Sequence, residues 1–343
     1  MIAVLRKGNA ADVNSAANCI TVMDKAAARE YNDIVENCRM DGFIQRYGRN
    51  EAEPMKKVLA MLLLIMLLPC AALCEAPAYA PLPLGGPAPY PAVTGALSED
   101  GMHYDDGTMT VDIETAAVDG VTVYYVYVTV ADKSQLRTAT AGKPRSKTTE
   151  IVAVMAEKNN AVLAFNGDYF NYRDVGVVFR SGERIRYNIR AGMDMLIVDE
   201  NGDLVIIESP TKTKIENFLK EHTIVEAFSF GPALIKDGAR LQFKYAEKNS
   251  CGYPTPDERL IICQLADTEE GRNQYLFIAC DDPGLSVRRM TDLAEERGAV
   301  VAYNLDGGHS TSIYLCGVRI NKIPKDRAVG DIVYFATLVP TDE

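Results

Sequence analysis

The sequence is poor in residues that mark several common chemistries. It has three histidines in 343 residues, and none of its eight cysteines falls in a CxxC or Cys/His spacing, so nothing spells a zinc site. No Walker or dinucleotide fingerprint is present, and no Gly-x-Ser-x-Gly elbow supports a serine hydrolase. Positive charge is not in excess: Lys+Arg is 36 against 47 Asp+Glu, a net −11. That balance excludes a typical nucleic-acid binder, which needs a basic face to displace counterions. Internal repeats are also missing.

What is there suits a folded, exported protein. The chain is 48% hydrophobic and 24% charged, enough apolar residue for a sizeable core. Up to Pro91 the basic and acidic residues cancel, so the whole net charge lies beyond it, and half of the 16 prolines precede Val93. A boundary therefore falls near residue 94. Met55-Lys-Lys opens an apolar run over 58–74, followed by small residues, the order of a secretory signal. Residues 55–76 are read as a signal peptide or anchor, with the following domain outside the cytoplasm. Two accounts of residues 1–54 stand: an over-extended gene model before a true start at Met55, or a cytoplasmic extension before an uncleaved anchor. Residues 77–94 are Pro-rich and predict a polyproline-like spacer.

The remaining residues, 95–343, predict a single α+β domain: a strand-rich mixed sheet with a few packed helices. The run over 120–130 is dense in β-branched and aromatic residues and predicts a long strand. Further strands are expected near 161–165, 175–180, 194–199, 204–208, 226–230, 260–265, 274–280, 300–304, 312–316 and 331–335. Helices are expected over 148–158 and 287–297. Cys251, Cys263, Cys280 and Cys316 could pair in an exported domain. The last three sit in apolar runs, which favours buried free thiols.

Three apolar runs end abruptly in Asn, Asp or Gly: at Asn166-Gly-Asp168, at Phe230-Gly231-Pro, and at Asn304-Leu-Asp306-Gly-Gly-His309-Ser-Thr311. Polar groups at a buried strand end are costly unless satisfied, so such tips can wall a site. A single tip would read as an ordinary Asx turn; three suggest a shared pocket.

Those segments carry a resemblance. Asn166-Gly-Asp-Tyr-Phe170, Phe230-Gly-Pro-Ala-Leu234 with Lys236-Asp-Gly238, and Asn304-Leu-Asp-Gly-Gly resemble the phosphodiester glycosidase family, in matching order from about Ser98 to Phe335. Ser134-Gln-Leu-Arg-Thr-Ala139 and Asp326-Arg-Ala-Val-Gly-Asp331 belong to the same match. The chain departs from the family pattern at His309, where a third glycine is usual. It departs also at Glu258-Arg259, where Pro-Arg is usual, and at Asp281-Asp-Pro-Gly284.

The resemblance implies cleavage of a sugar–O–phosphate diester at the anomeric carbon, in a cell-envelope or exopolysaccharide glycan. Phosphate is a stable leaving group, so the site needs a cation for it and a carboxylate for water or the oxocarbenium-like centre. Asp306 is the expected carboxylate, with Asp168 second and His309 as a proton donor or phosphate contact. Arg259 is the expected phosphate ligand, with Arg327 and then Arg180 as alternatives. Asn166 and Asn304 would bind sugar hydroxyls. Gly231, Gly307 and Gly308 would allow close backbone approach, and Ser310 and Thr311 would donate to phosphate oxygens. No cofactor or metal is indicated; Asp168 and Asp306 could share a divalent cation only if brought together. The expected partner is a phosphodiester-linked glycan, not nucleic acid, with membrane contact only through residues 58–74 if uncleaved. The alternative is an inactive glycan- or phosphate-binding envelope module.

Overall fold

The sequence of the strand Val121–Val130 dictates a central position. Val123 and Tyr125 face one side and Val126, Val128 and Val130 the other, and both sides are buried. The preceding strand, Met109–Val118, joins it through Asp119-Gly120, both at positive φ, the two-residue turn that matches strand twist. A computed structural model describes residues 79–143, 146–242, 255–268, 273–322 and 326–340.

Those residues form an α+β fold with three sheets. The largest runs in the order His103–Asp105, Met109–Val118, Val121–Val130, Gln274–Leu285, Asp257–Gln264, Val301–Asn304, Ala233–Lys236, Ala239–Arg240. A second orders Glu183–Asn188, Gly176–Arg180, Ile224–Phe228, Met195–Asp199 and Leu204–Ile207. The third orders Val318–Arg319, Ile313–Leu315, Leu163–Asn166, Asp331–Phe335 and Leu136–Thr140. Every strand pairing among the described residues is antiparallel, which corrects the expectation of a mixed sheet. The reason is in the short links: Met109–Val118 and Val121–Val130, or Gly176–Arg180 and Glu183–Asn188, are neighbours joined by two residues, which permits only antiparallel pairing, since parallel neighbours need crossovers of a dozen residues or more. The helices are Val152–Lys158, Lys212–Phe218 and Val287–Glu296.

The principal core draws residues from all three sheets. Phe165 stacks on Phe277 with ring centres 3.9 Å apart, and Phe335 meets Phe277 edge-on at 5.9 Å. The helix Val287–Glu296 covers the outer face of the largest sheet. Its Val287, Met290, Leu293 and Ala294 fall on one stripe against Ile261, Cys263 and Ile278. Ser286 caps its start through Arg289 N–H at 3.2 Å, and Gly298 at φ +77° follows its end.

Residues 79–94 are not a free spacer. Leu82 and Ala88 are buried against the helix Val152–Lys158 and the third sheet. Arg137 Nη2 donates to the carbonyls of Gly85 and Gly86, both at 3.1 Å, and Ala88 N–H donates to Asn159 O at 3.2 Å. Proline lacks an N–H but not a carbonyl or an apolar ring, so a Pro-rich strap can dock through carbonyls and leucine.

Cys263, Cys280 and Cys316 are free thiols, the first two buried. Cys251 and the segments 1–54 and 55–76 lie outside the described residues. Among the described residues no helix is long and apolar enough to cross a membrane.

Candidate active site

The three polar strand ends meet. Asn166 closes the strand Leu163–Asn166 in the third sheet, and Asn304 closes Val301–Asn304 in the largest. Asn166 Nδ2 donates to Asp306 O at 2.8 Å, and its Oδ1 accepts Ser312 N–H at 3.1 Å. Asn304 donates through its backbone N–H to Pro232 O at 3.0 Å and through Nδ2 to Gly231 O at 2.9 Å. Ser229 N–H donates to Asp168 Oδ2 at 3.1 Å, closing the ring between the first and second segments. Both asparagines are buried, so these bonds satisfy groups that would otherwise be orphaned at a strand end. Of these two side chains, Asn304 leaves its Oδ1 buried without a hydrogen-bond partner among the described residues. The two asparagines clamp the tips together more than they line an open surface.

Asp168 is engaged on both oxygens. Besides Ser229, it accepts Phe170 N–H at 2.9 Å and lies 3.3 Å from Arg180 Nη2. Arg180 is itself buried and binds Asp331 Oδ2 through Nε at 3.0 Å and Nη2 at 2.5 Å, with Nη1 on the carbonyls of Phe179 and Ala227. Burial pushes the Asp331 carboxyl up to about 7 against the pull of Arg180, with Asp168 adding to the push. A Cβ on Gly167 would fall 2.4 Å from the Asp331 carboxyl, so only glycine lets the tip rest there. Asp168, Arg180 and Asp331 thus make a buried ionic base under the tip.

Asp306 is differently placed. It is 8% exposed, and Gly307 N–H donates to its Oδ1 at 3.1 Å. Burial raises it to about 6, opposed by Ser310, by the Arg327 guanidinium, by that N–H and by Arg173. Both arginines lean on aromatic rings. Arg327 sits 5.2 Å from the Tyr169 ring centre and 5.3 Å from that of Tyr172, and donates to Tyr169 Oη at 3.3 Å. Arg173 lies 4.7 Å from the Phe230 ring and 5.6 Å from that of Tyr169. Two ring-held cations, Arg327 and Arg173, therefore act on one carboxylate. A carboxylate of this kind can take a proton from water, and guanidiniums of this kind can hold a phosphate.

The other expected residues are placed as follows. Arg259 is 2% exposed, with Nε on Leu285 O at 3.3 Å and Nη2 on Thr255 O at 3.0 Å, so its fork is turned into the protein. His309 is exposed on the short turn Gly308–Ser310. Gly307 packs on Glu258 O, where a Cβ would come within 2.5 Å; Gly308 and Gly231 have φ +60° and +74°. The hydroxyls of Ser310 and Thr311 are buried without aligned hydrogen-bond partners. Arg173, Tyr169 and Tyr172 were not foreseen as site residues. They follow directly on Asn166-Gly-Asp168, and that adjacency was the available signal.

Away from the tips, His222 Nδ1 lies 3.4 Å from Glu200 Oε1 and 3.6 Å from Asp199 Oδ2, the one three-residue grouping among the described residues that could hold a metal ion. Asp199 Oδ1 is already spent on the N–H groups of Asn201 and Asp203, as in an Asx turn.

A strand-rich α+β scaffold whose tips gather a carboxylate and two guanidiniums defines the class, a hydrolase for an anionic glycoside. The chain belongs to the phosphodiester glycosidase family, whose model matches residues 159–336. Among solved structures, it is similar to the catalytic domain of zebrafish N-acetylglucosamine-1-phosphodiester alpha-N-acetylglucosaminidase auto-inhibited by its pro-peptide. That match has a TM-score of 0.54 and 17% identity, over 71% of this chain and 87% of the other. A hypothetical protein from Synechocystis matches with a TM-score of 0.46 and 16% identity, over 66% of this chain and 62% of the other. No curated protein matches the sequence.

Proposed function

We propose that this phosphodiester glycosidase releases a sugar from a sugar-1-phosphodiester of the N-acetylglucosamine-1-phosphate type, with Asp306 as the carboxylate at the anomeric carbon. The carrying observation is the Asp306 side chain, buried at the joined strand tips and acted on by Arg327 and Arg173. The two guanidiniums neutralise the phosphate. The C1–O bond breaks with its electron pair on the phosphate oxygen, water bonds to C1, and Asp306 takes the water proton. Arg259, turned onto carbonyls, is replaced in the phosphate role by Arg327 and Arg173. The signal-like segment over 55–76 supports an extracytoplasmic setting and a cell-envelope or exopolysaccharide glycan as substrate.

The test is sugar release from a panel of sugar-1-phosphodiesters by wild type and by Asp306→Asn. Loss of the base should lower kcat by about 10²–10⁴. A variant with the full rate would remove Asp306 from the mechanism.

A further inference from the structure

His222, Asp199 and Glu200 stand outside the reaction above, at the ends of two neighbouring strands of the second sheet. Asp199 ends the strand Met195–Asp199, and Glu200 begins the turn that follows. His222 precedes the strand Ile224–Phe228, whose Ile224 pairs with Asp199. Antiparallel pairing thus sets the imidazole beside both carboxylates.

Each donor is held from outside the group. Asp199 is 3% exposed, and its Oδ1 accepts the N–H groups of Asn201 and Asp203. Its Oδ2 takes a long contact from Asn201 Nδ2 at 3.4 Å and lies 3.6 Å from His222 Nδ1. Glu200 accepts Thr223 N–H on Oε2 at 2.6 Å and leaves Oε1 3.4 Å from the same nitrogen. The imidazole stacks on Phe218 with ring centres 4.9 Å apart.

The decisive atom is His222 Nδ1. It is buried and has no hydrogen-bond partner among the described residues, although two carboxylate oxygens stand beside it. A direct imidazolium–carboxylate bond closes to about 2.7–2.9 Å, and His103 Nδ1 makes such a bond to Asp112 Oδ1 at 2.6 Å. Separations of 3.4 and 3.6 Å are instead those of neighbouring ligands on one ion. Donors about 2.0–2.2 Å from a tetrahedral zinc lie roughly 3.3–3.6 Å from each other. Among the described residues Asp199 and Glu200 form ion pairs with His222 alone, so no lysine or arginine neutralises the two carboxylates.

We propose that His222 Nδ1, Asp199 Oδ2 and Glu200 Oε1 bind a zinc-class divalent ion, with water in the fourth position. The ion clamps the turn after Met195–Asp199 to the start of Ile224–Phe228. An imidazole nitrogen among the donors favours zinc and its late first-row neighbours over calcium and magnesium, which take oxygen ligands. The His222 and Glu200 side chains keep exposures of 39% and 37%, which gives the ion an entry path and leaves room for the water. The other end of Ile224–Phe228 leads into Ser229, whose N–H holds Asp168. The clamp therefore lies at the opposite end of that strand from the joined tips, and it acts on stability rather than on the chemistry at Asp306.

The experiment frees the full-length protein of metal with a chelator and titrates it with Zn²⁺ by calorimetry, beside His222→Ala and His103→Ala. Wild type and His103→Ala should each take up one more zinc per chain than His222→Ala. Zinc should also raise the Tm of those two by more than it raises that of His222→Ala. Since His222→Ala also removes the stack on Phe218, Glu200→Gln gives a second reading. It preserves the side-chain shape and should weaken zinc binding at this site by about tenfold or more, at least what loss of an outer partner of a metal ligand costs. Co²⁺ should give the visible absorption of a tetrahedral ion in wild type, and part of that absorption should be missing in His222→Ala. Equal zinc stoichiometry and equal Tm shifts in wild type and His222→Ala would mean an adventitious ion only and would overturn the proposal. A wild type that takes up no zinc after chelation would overturn it as well.

Discussion

Asp306 and Asp168 look alike in sequence, each two residues beyond an asparagine at a strand end. Their surroundings separate them. Asp168 has its charge spent on two N–H groups and Arg180, which suits a residue that fixes a turn. Asp306 has one N–H and two nearby guanidiniums held by aromatic rings, which suits a residue that reacts. Water activation needs the ionised form, so kcat/KM should climb as pH rises through about 6, where burial has moved this carboxyl. Arg327 holds that value down. Arg327→Ala should therefore move the rising limb to higher pH and also raise KM for the phosphodiester. A pH profile that leaves the limb in place would show that the guanidinium does not act on Asp306. The sequence exposed the aspartates but not this contrast, because it depends in part on distant residues: Ser229 is 61 positions from Asp168, and Arg173 lies far along the chain from Asp306. The same holds for Arg259, whose position in the motif does not reveal that its fork points inward.

At the scale of elements, the long runs were legible. The strand Val121–Val130 and the helix Val287–Glu296 follow from alternation and from a 3.6-residue stripe with a serine cap. The strand Met109–Val118 has the same alternation, with Met109, Val111 and Ile113 buried. Its exposed Asp112 and Glu114 disguise it as a polar stretch. The pair Ala233–Lys236 and Ala239–Arg240 is too short for periodicity, and only Asp237-Gly238 marks it. The decisive element is the turn after Asp306. Gly307→Ala would put a methyl 2.5 Å from Glu258 O and displace the tip that carries the carboxylate. Since misplacement of about 1 Å can cost 10²-fold, kcat should fall by roughly tenfold or more. Wild-type kcat in this variant would mean that the tight seat under the carboxylate is unimportant.

For the whole molecule, the α+β class follows from composition and pattern, whereas the split into three antiparallel sheets does not. Which strands pair is decided by a core shared among sheets, as in the stack of Phe165 on Phe277 from segments more than a hundred residues apart. The strap over 79–94 shows the same limit: its prolines suggest a spacer, yet Leu82 and the Gly85 and Gly86 carbonyls dock on the domain. The fold matters to function because it brings the ends of strands from separate sheets to one carboxylate. The most direct test of that claim is hydrolysis of a sugar-1-phosphodiester by the full chain in ¹⁸O-labelled water. We expect the label on the anomeric oxygen of the released sugar and none in the phosphomonoester, since the bond broken is C1–O. Label in the phosphate would mean attack at phosphorus and would contradict the account.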